Sequence, residues 1–230
     1  MIDLTRIHSE ALSTDPYRWA HIGDLYAPSD AAALAESYPD DGFKTLVGAD
    51  DEKGWEYEVR SLIHMGAAGP SRAESLSQEW QQLADDLLSP GYRQAMGQLT
   101  GHDLSEALVE VNVFHYGPGA WMGPHRDLEA KIVTHVLYFN AGWDEKSGGC
   151  LAILRSSDMS DVKAEIPPVV GNSAVLVRSE DSWHAVSRIV DGSETSRRSV
   201  TVTFYKPGSI STMWPPGEDP ALHRYPPDAS

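Results

Sequence analysis

The sequence predicts a mainly β protein with flanking helices, an α+β chain whose strands form an antiparallel sandwich or small barrel. Two patterns carry this. Runs rich in β-branched and aromatic residues recur at 109–116, 131–139, 150–154, 173–178, 184–190 and 197–205, separated by Gly, Pro, Asp and Ser clusters. Apolar residues at helical spacing fall instead in the first hundred positions. At 230 residues and 41% hydrophobic content, the chain has length for one large β domain or two small ones. We read residues 1–230 as a single domain: 1–107 as mainly helical support, 108–206 as the β core and 207–230 as a tail.

Pro16 to Tyr26 is aromatic and apolar, which suits a first strand. Pro28-Ser29-Asp30 begins a helix capped by Ser29 or Asp30, with Leu34 and Tyr38 on one face and Pro39 ending it. Asp50-Asp51-Glu52-Lys53-Gly54 reads as a solvated charged loop, and Trp55 to Ile63 alternates partly like a strand. Ser71 and Glu74 make a capping-box signature for a helix carrying Leu76, Trp80, Leu83, Leu87 and Leu88. Ser89-Pro90 restarts a helix that Gly101 closes. The proline-rich tail reads as irregular.

Net charge is −16, with no basic stripe, so nucleic acid is not an expected partner. Cys150 is the one cysteine; no disulfide can form within the chain, and its apolar surroundings favour a buried small hydrophobe. No segment has the apolar run of a signal peptide or membrane span, and a reducing, cytoplasmic setting is the simpler expectation.

Strand parity divides the β runs. On 109–116 one face reads Val109, Val111, Val113 and the other Glu110, Asn112, Phe114, Tyr116. On 197–205 one face reads Val200, Val202, Phe204 and the other Arg197, Ser199, Thr201, Thr203, Tyr205. The polar faces fit either a solvated sheet or a barrel lined with ligand-binding groups.

His125 and Asp127 follow the Gly117-Pro118-Gly119 turn, two residues apart on an extended segment, so both side chains point one way. His184 begins another apolar run. Two imidazoles and a carboxylate make the facial triad that holds iron(II) and leaves coordination positions open, with zinc and manganese as competitors. A zinc hydrolase is the chemical alternative.

Residues 108–206 resemble the double-stranded β-helix (jelly-roll, cupin-like) core of the 2-oxoglutarate/iron(II) dioxygenases, in the branch similar to prolyl 4-hydroxylases. The resemblance runs through Phe114 to Gly119, Gly123 to Asp127, Val136 to Asn140, Trp143, Gly148 to Leu151, Ser182 to Val186 and Arg197 to Val202, in the family's order. It implies His125, Asp127 and His184 as iron ligands. The family grips the distal carboxylate of 2-oxoglutarate with a basic residue on the strand after the second histidine. Arg197 is preferred there over Arg198, because it shares parity with Ser199 while Arg198 shares parity with Val200 and should point outward. The spacing from His184 to Arg197 is longer than usual, which marks Asp191 to Glu194 as an insertion. Tyr116 and Tyr138 match positions where the family sets phenols against the cosubstrate; ordinary strand packing explains them equally.

The resemblance implies Fe(II), 2-oxoglutarate and O2, with release of succinate and CO2 and hydroxylation of an unactivated C–H bond. Halogenases of the superfamily lack the carboxylate that Asp127 supplies, so hydroxylation is favoured, with desaturation, cyclisation and epimerisation open. The expected substrate is a small molecule, an amino-acid derivative or natural-product intermediate, with a peptidyl or carrier-tethered residue next. Arg60 or Arg126 is expected to grip a substrate carboxylate and Trp121 to form a wall; solvated ion pairing is the plainer reading of both arginines. Three rivals stand beside this: a zinc-dependent hydrolase or lyase, a non-catalytic cupin-like binding module, and a regulatory protein hydroxylase. The sequence sets no oligomeric state.

Overall fold

The computed structural model describes residues 1–49, 54–193 and 195–226. The charged loop expected at 50–54 lies almost wholly outside them. Among the described residues, eleven strands join in one continuous rolled sheet in which every pairing between strands is antiparallel. They are β1 (Trp19–Ile22), β2 (Lys44–Ala49), β3 (Gly54–Ile63), β4 (Leu108–Tyr116), β5 (Trp121–His125), β6 (Lys131–Tyr138), β7 (Leu151–Leu154), β8 (Val162–Ile166), β9 (Ser173–Val177), β10 (His184–Val186) and β11 (Arg197–Tyr205). The order is β1-β9-β6-β11-β4-β3-β5-β10-β7-β8, with β2 beside β3. Strand β3 is the turning point: it pairs with β4 through Glu58–Ile63 and with β5 through Trp55 and Glu56. The sheet thus folds over on itself as a jelly roll, and the β1-to-β4 half faces the β5-to-β8 half.

The parity split explains the two cores. Val109, Val111, Val113, Val200, Val202 and Phe204 turn outward onto helices and form one apolar cluster with them. Phe114, Tyr116, Val136, Leu151, Ile153 and Val186 turn inward between the two halves. The helices are α1 (Leu4–Ser9), α2 (Pro28–Glu36), α3 (Gln78–Leu88) and α4 (Pro90–Thr100). Trp80, Leu83, Ala84 and Leu87 are the buried face of α3, and Trp80 meets Tyr38 and Phe139 at ring separations of 5.2 and 4.9 Å. Burying such aromatic and aliphatic side chains contributes about 1.5–3 kcal/mol each, which holds the helices to the larger half.

Two expected caps are corrected. Ala27, not Ser29 or Asp30, is the N-cap of α2; Pro28 takes the first helical position and no side chain caps the end. Ser71 and Glu74 do not cap α3. Ser77 does, accepting from the Trp80 amide, because a short 3-10 turn at Ala73–Ser75 and an extended Leu76 intervene. Ser89 caps α4 over Pro90, and Gly101 ends it at φ +67°. Beyond the expected strands, the structure adds β2, β5 and β8, and β10 stops at Val186 rather than running to residue 190.

The described part of the tail, 207–226, has no helix or strand and is tied down. Phe43 and His223 exchange backbone hydrogen bonds, and the Tyr225 ring stacks on His115 at 3.9 Å. Nearer the barrel mouth, Ser211 donates to Glu110 and Trp214 Nε1 to Asn112 Oδ1 at 2.7 Å, so the tail crosses back over β4. No helix among the described residues is long and apolar enough to cross a membrane.

Candidate metal and cosubstrate site

Between the two halves lies a cavity of about 450 Å³ lined from both. The structure brings His125, Asp127 and His184 together on its wall. One ligand atom from each lies within 4.8 Å of the others, and all three residues are buried. Local backbone irregularity achieves this. His184 pairs with His125, but Val186 pairs with Met122, so β5 holds one extra residue between the two pairs. That bulge turns both Met122 and His125 to the cavity. His125 Nδ1 lies 2.9 Å from Gly123 O and His184 Nδ1 3.0 Å from Ser182 O. Donating Nδ1–H to these carbonyls assigns the lone pair of each ring to Nε2, the arrangement metal-binding imidazoles use.

Lys131 Nζ donates to Asp127 Oδ1 at 2.6 Å, and Thr134 Oγ1 donates to Oδ2 at 2.7 Å. Burial pushes the Asp127 carboxyl up, but the Lys131 ammonium, then the His184 and His125 rings, hold it well below the ordinary carboxylate range. Burial likewise opposes the Lys131 charge, and Asp127 overcomes it, so the pair is ionised. The donor set of two imidazoles and an ionised carboxylate fits a divalent first-row metal.

At the other end of the cavity-facing side of β11 sits Arg197, 2% exposed. Its Nη1 donates to Ser199 Oγ at 2.6 Å. Its guanidinium lies 5.0 Å from the Tyr116 ring centre and 5.3 Å from that of Tyr138. Arg197 Nε and the Tyr138 hydroxyl are both buried without a hydrogen-bond partner. A buried orphan donor costs about 1–3 kcal/mol, and an anionic ligand at this end of the cavity would give the Arg197 guanidinium, which lines it, a partner. Tyr116, Arg197 and Ser199 line the cavity, whereas Tyr138 packs behind the guanidinium. Arg198 does take the opposite face. It packs on α2, over the Tyr38 ring at 5.6 Å and with Nη1 donating to Ala35 O at 3.3 Å.

The three expected substrate residues separate. Arg126 lines the cavity, with Nη1 on Glu180 Oε2 at 3.0 Å and its guanidinium 4.7 Å over the Trp183 ring. Arg60 does not reach the cavity. It pairs with Val113 across the β3–β4 ladder and so faces the helical side, donating to Ser75 Oγ at 2.9 Å and lying 3.8 Å from Asp41. Trp121 is not a wall either. The β5 bulge gives that place to Met122, and Trp121 lies 5.7 Å from the Arg188 guanidinium, outside the cavity lining.

Sequence reasoning missed Lys131, Glu110, Tyr205 and Met213 as cavity residues. Glu110 and Tyr205 were legible from the strand parity already in hand. Lys131 was not, because it shares sequence parity with Val133, which packs outward. Thr203 pairs with Thr134 and Phe204 with Val133, but Tyr205 pairs with Lys131, and this shift turns Lys131 inward.

The fold and site together define an oxygenase-type jelly roll with a two-histidine, one-carboxylate centre. Residues 111–205 match the family model described as the 2OG-Fe(II) oxygenase superfamily, and that stretch holds His125, Asp127, His184, Arg197 and Ser199. Members of that superfamily use Fe(II), 2-oxoglutarate and O2, and the chain is accordingly a dioxygenase. No curated protein matches its sequence. Among solved structures it is similar to a Pseudomonas putida prolyl-4-hydroxylase, at 20% identity and TM-score 0.58 over 89% of this chain and 99% of that one. It is also similar to a Trichoplax adhaerens prolyl hydroxylase solved with a hypoxia inducible factor peptide, at 12% identity and TM-score 0.53 over 88% and 86%. A third is SnoN, an epimerase of nogalamycin biosynthesis, at 12% identity and TM-score 0.52 over 97% and 93%. At these identities the likeness is one of fold.

Proposed function

We propose that the chain hydroxylates an unactivated C–H bond of a small molecule, an amino-acid derivative or natural-product intermediate, and releases succinate and CO2. One observation carries the reading: the triad and the Arg197–Ser199 pair open onto the same cavity. At about 450 Å³ its size falls among small-molecule sites, and Thr212 and Met213 of the tail add a wall to it.

In this reading His125, Asp127 and His184 hold Fe(II), which with the cosubstrate supplies oxidising power for the C–H bond. Thr134 keeps the Asp127 carboxylate oriented. Arg197 and Ser199 receive the distal carboxylate of 2-oxoglutarate, with Tyr116 and Tyr138 flanking the guanidinium. Met122, Leu151 and Val186 keep the cavity between them apolar and short of water. Residues 1–107 and 207–226 act with the core as one domain, since β3 and the tail both contribute cavity residues.

The experiment is anaerobic titration with Fe(II) and then 2-oxoglutarate, followed in the visible spectrum. A weak charge-transfer band on adding the 2-oxo acid supports the reading. Metal bound without a band overturns it in favour of a hydrolase or binding module. Succinate release driven by peptides and by no small molecule overturns the substrate half.

A further inference from the structure

We propose that Lys131 is the substrate-recognition residue of this site and that the substrate carries a compact anionic group, a carboxylate in the first instance. The inference rests on the oxygenase reading above and deepens it. Lys131 Nζ stands in the cavity wall beside the triad. An ammonium has three N–H donors, and Asp127 Oδ1 takes one; no other acceptor among the described residues is within hydrogen-bond distance of it.

The other charged side chains named in the cavity are held by protein partners or, for Arg197, assigned to the cosubstrate. Arg126 is held by Glu180. Glu110 receives Ser211, Tyr205 and Asn112, and Arg197 is bonded to Ser199 at the far end. A metal at the triad shares the Asp127 carboxylate, which leaves the ammonium short of negative charge in a partly buried place. A substrate anion restores that charge and docks the molecule next to the metal-binding residues, where positioning matters most. The β6 register shift exists at the one place where it turns this side chain inward. In a chain of net charge −16, an anionic substrate needs such a local cation.

The test uses the full chain with saturating Fe(II), 2-oxoglutarate and O2. The panel is free amino acids and N-acyl amino acids, each beside its primary amide, with succinate release as readout. Acids are expected to be accepted, and their amides to fall by about 10- to 100-fold in kcat/KM, the loss lying in the KM of the acid and not of 2-oxoglutarate. Lys131→Met is expected to lose the same factor and the preference for acid over amide; Lys131→Arg is expected to recover part of both. An amide accepted as well as its acid, a panel with no accepted acid, or a Lys131→Met variant that keeps the preference overturns the proposal. The anaerobic charge-transfer band separates the two failures. If it is absent in the wild-type chain, the oxygenase reading has failed; if it is present while acids are refused, only the role of Lys131 has.

Discussion

His125 on β5 and His184 on β10 are cross-strand partners whose ring centroids stand 4.3 Å apart. A separation of about sixty residues is closed by one rung of an antiparallel ladder. Ile153 on β7 pairs with His184 from the other side, so the second ligand is braced on both flanks. A ligand removed from such a braced set leaves the fold and takes the metal. We expect His184→Ala to abolish the charge-transfer band while retaining the wild-type circular dichroism spectrum.

Thr134 donates to the Asp127 oxygen that Lys131 does not touch. Thr134→Val keeps the shape and removes the donor. We expect Fe(II) affinity to weaken by about 10- to 100-fold, read by anaerobic titration, with 2-oxoglutarate affinity at saturating metal unchanged.

Arg197 and Arg198 are neighbours on opposite faces of β11. We expect Arg197→Ala to weaken 2-oxoglutarate binding by at least about 10-fold, the scale of a charge-assisted hydrogen bond. Arg198→Ala should leave that binding intact and instead lower the melting temperature, through the lost packing on Tyr38. Wild-type affinity in Arg197→Ala would remove it as the anchor.

His135 is fully buried on the helical side, with Nδ1 2.8 Å from the Tyr92 hydroxyl. Burial lowers its pKa from 6.5 to about 3. Its neutral form is the folded one, so the unfolded chain binds the proton first. This contribution to stability is complete above about pH 6.5 and is lost toward pH 3, at about 1.4 kcal/mol per pH unit. Urea denaturation should show wild type losing more stability between pH 7 and pH 5 than His135→Gln, which retains an acceptor for Tyr92. Equal losses would show that His135 does not govern the slope.

Gly148 sits at φ +71°, and a Cβ there would meet the Arg188 carbonyl oxygen at 2.1 Å. The neighbouring backbone follows β10, which carries His184. Gly148→Ala is expected to cost several kcal/mol, on the order of 2–4, visible as a large drop in melting temperature. A drop of only a few degrees would mean that the Arg188 segment yields.

The sequence was most legible where side-chain period and backbone period agree. On β4 and β11, alternation located the cavity face from Glu110 to Tyr116 and from Arg197 to Tyr205, and told Arg197 from Arg198. It failed where the backbone slips. The β5 bulge gave Met122 the place expected of Trp121, and the β6 shift hid Lys131. Arg60 misled because its strand is a full sheet member: residue type pointed to a ligand, while ladder pairing with Val113 sends it to the helices. The Ser71-Glu74 signature misled because a three-residue turn consumes it before the helix begins.

The two faces of β4 have separate duties. Val109, Val111 and Val113 answer to the helices, and Glu110, Asn112, Phe114 and Tyr116 to the cavity. Selection for a new substrate therefore has a chassis it need not disturb. Saturation mutagenesis along this strand should give a sawtooth of tolerance, with viable replacements at the even positions that change which molecule is taken. Val109, Val111 and Val113 should permit little beyond Ile or Leu. A scaffold with that separation lends itself to retooling by few substitutions.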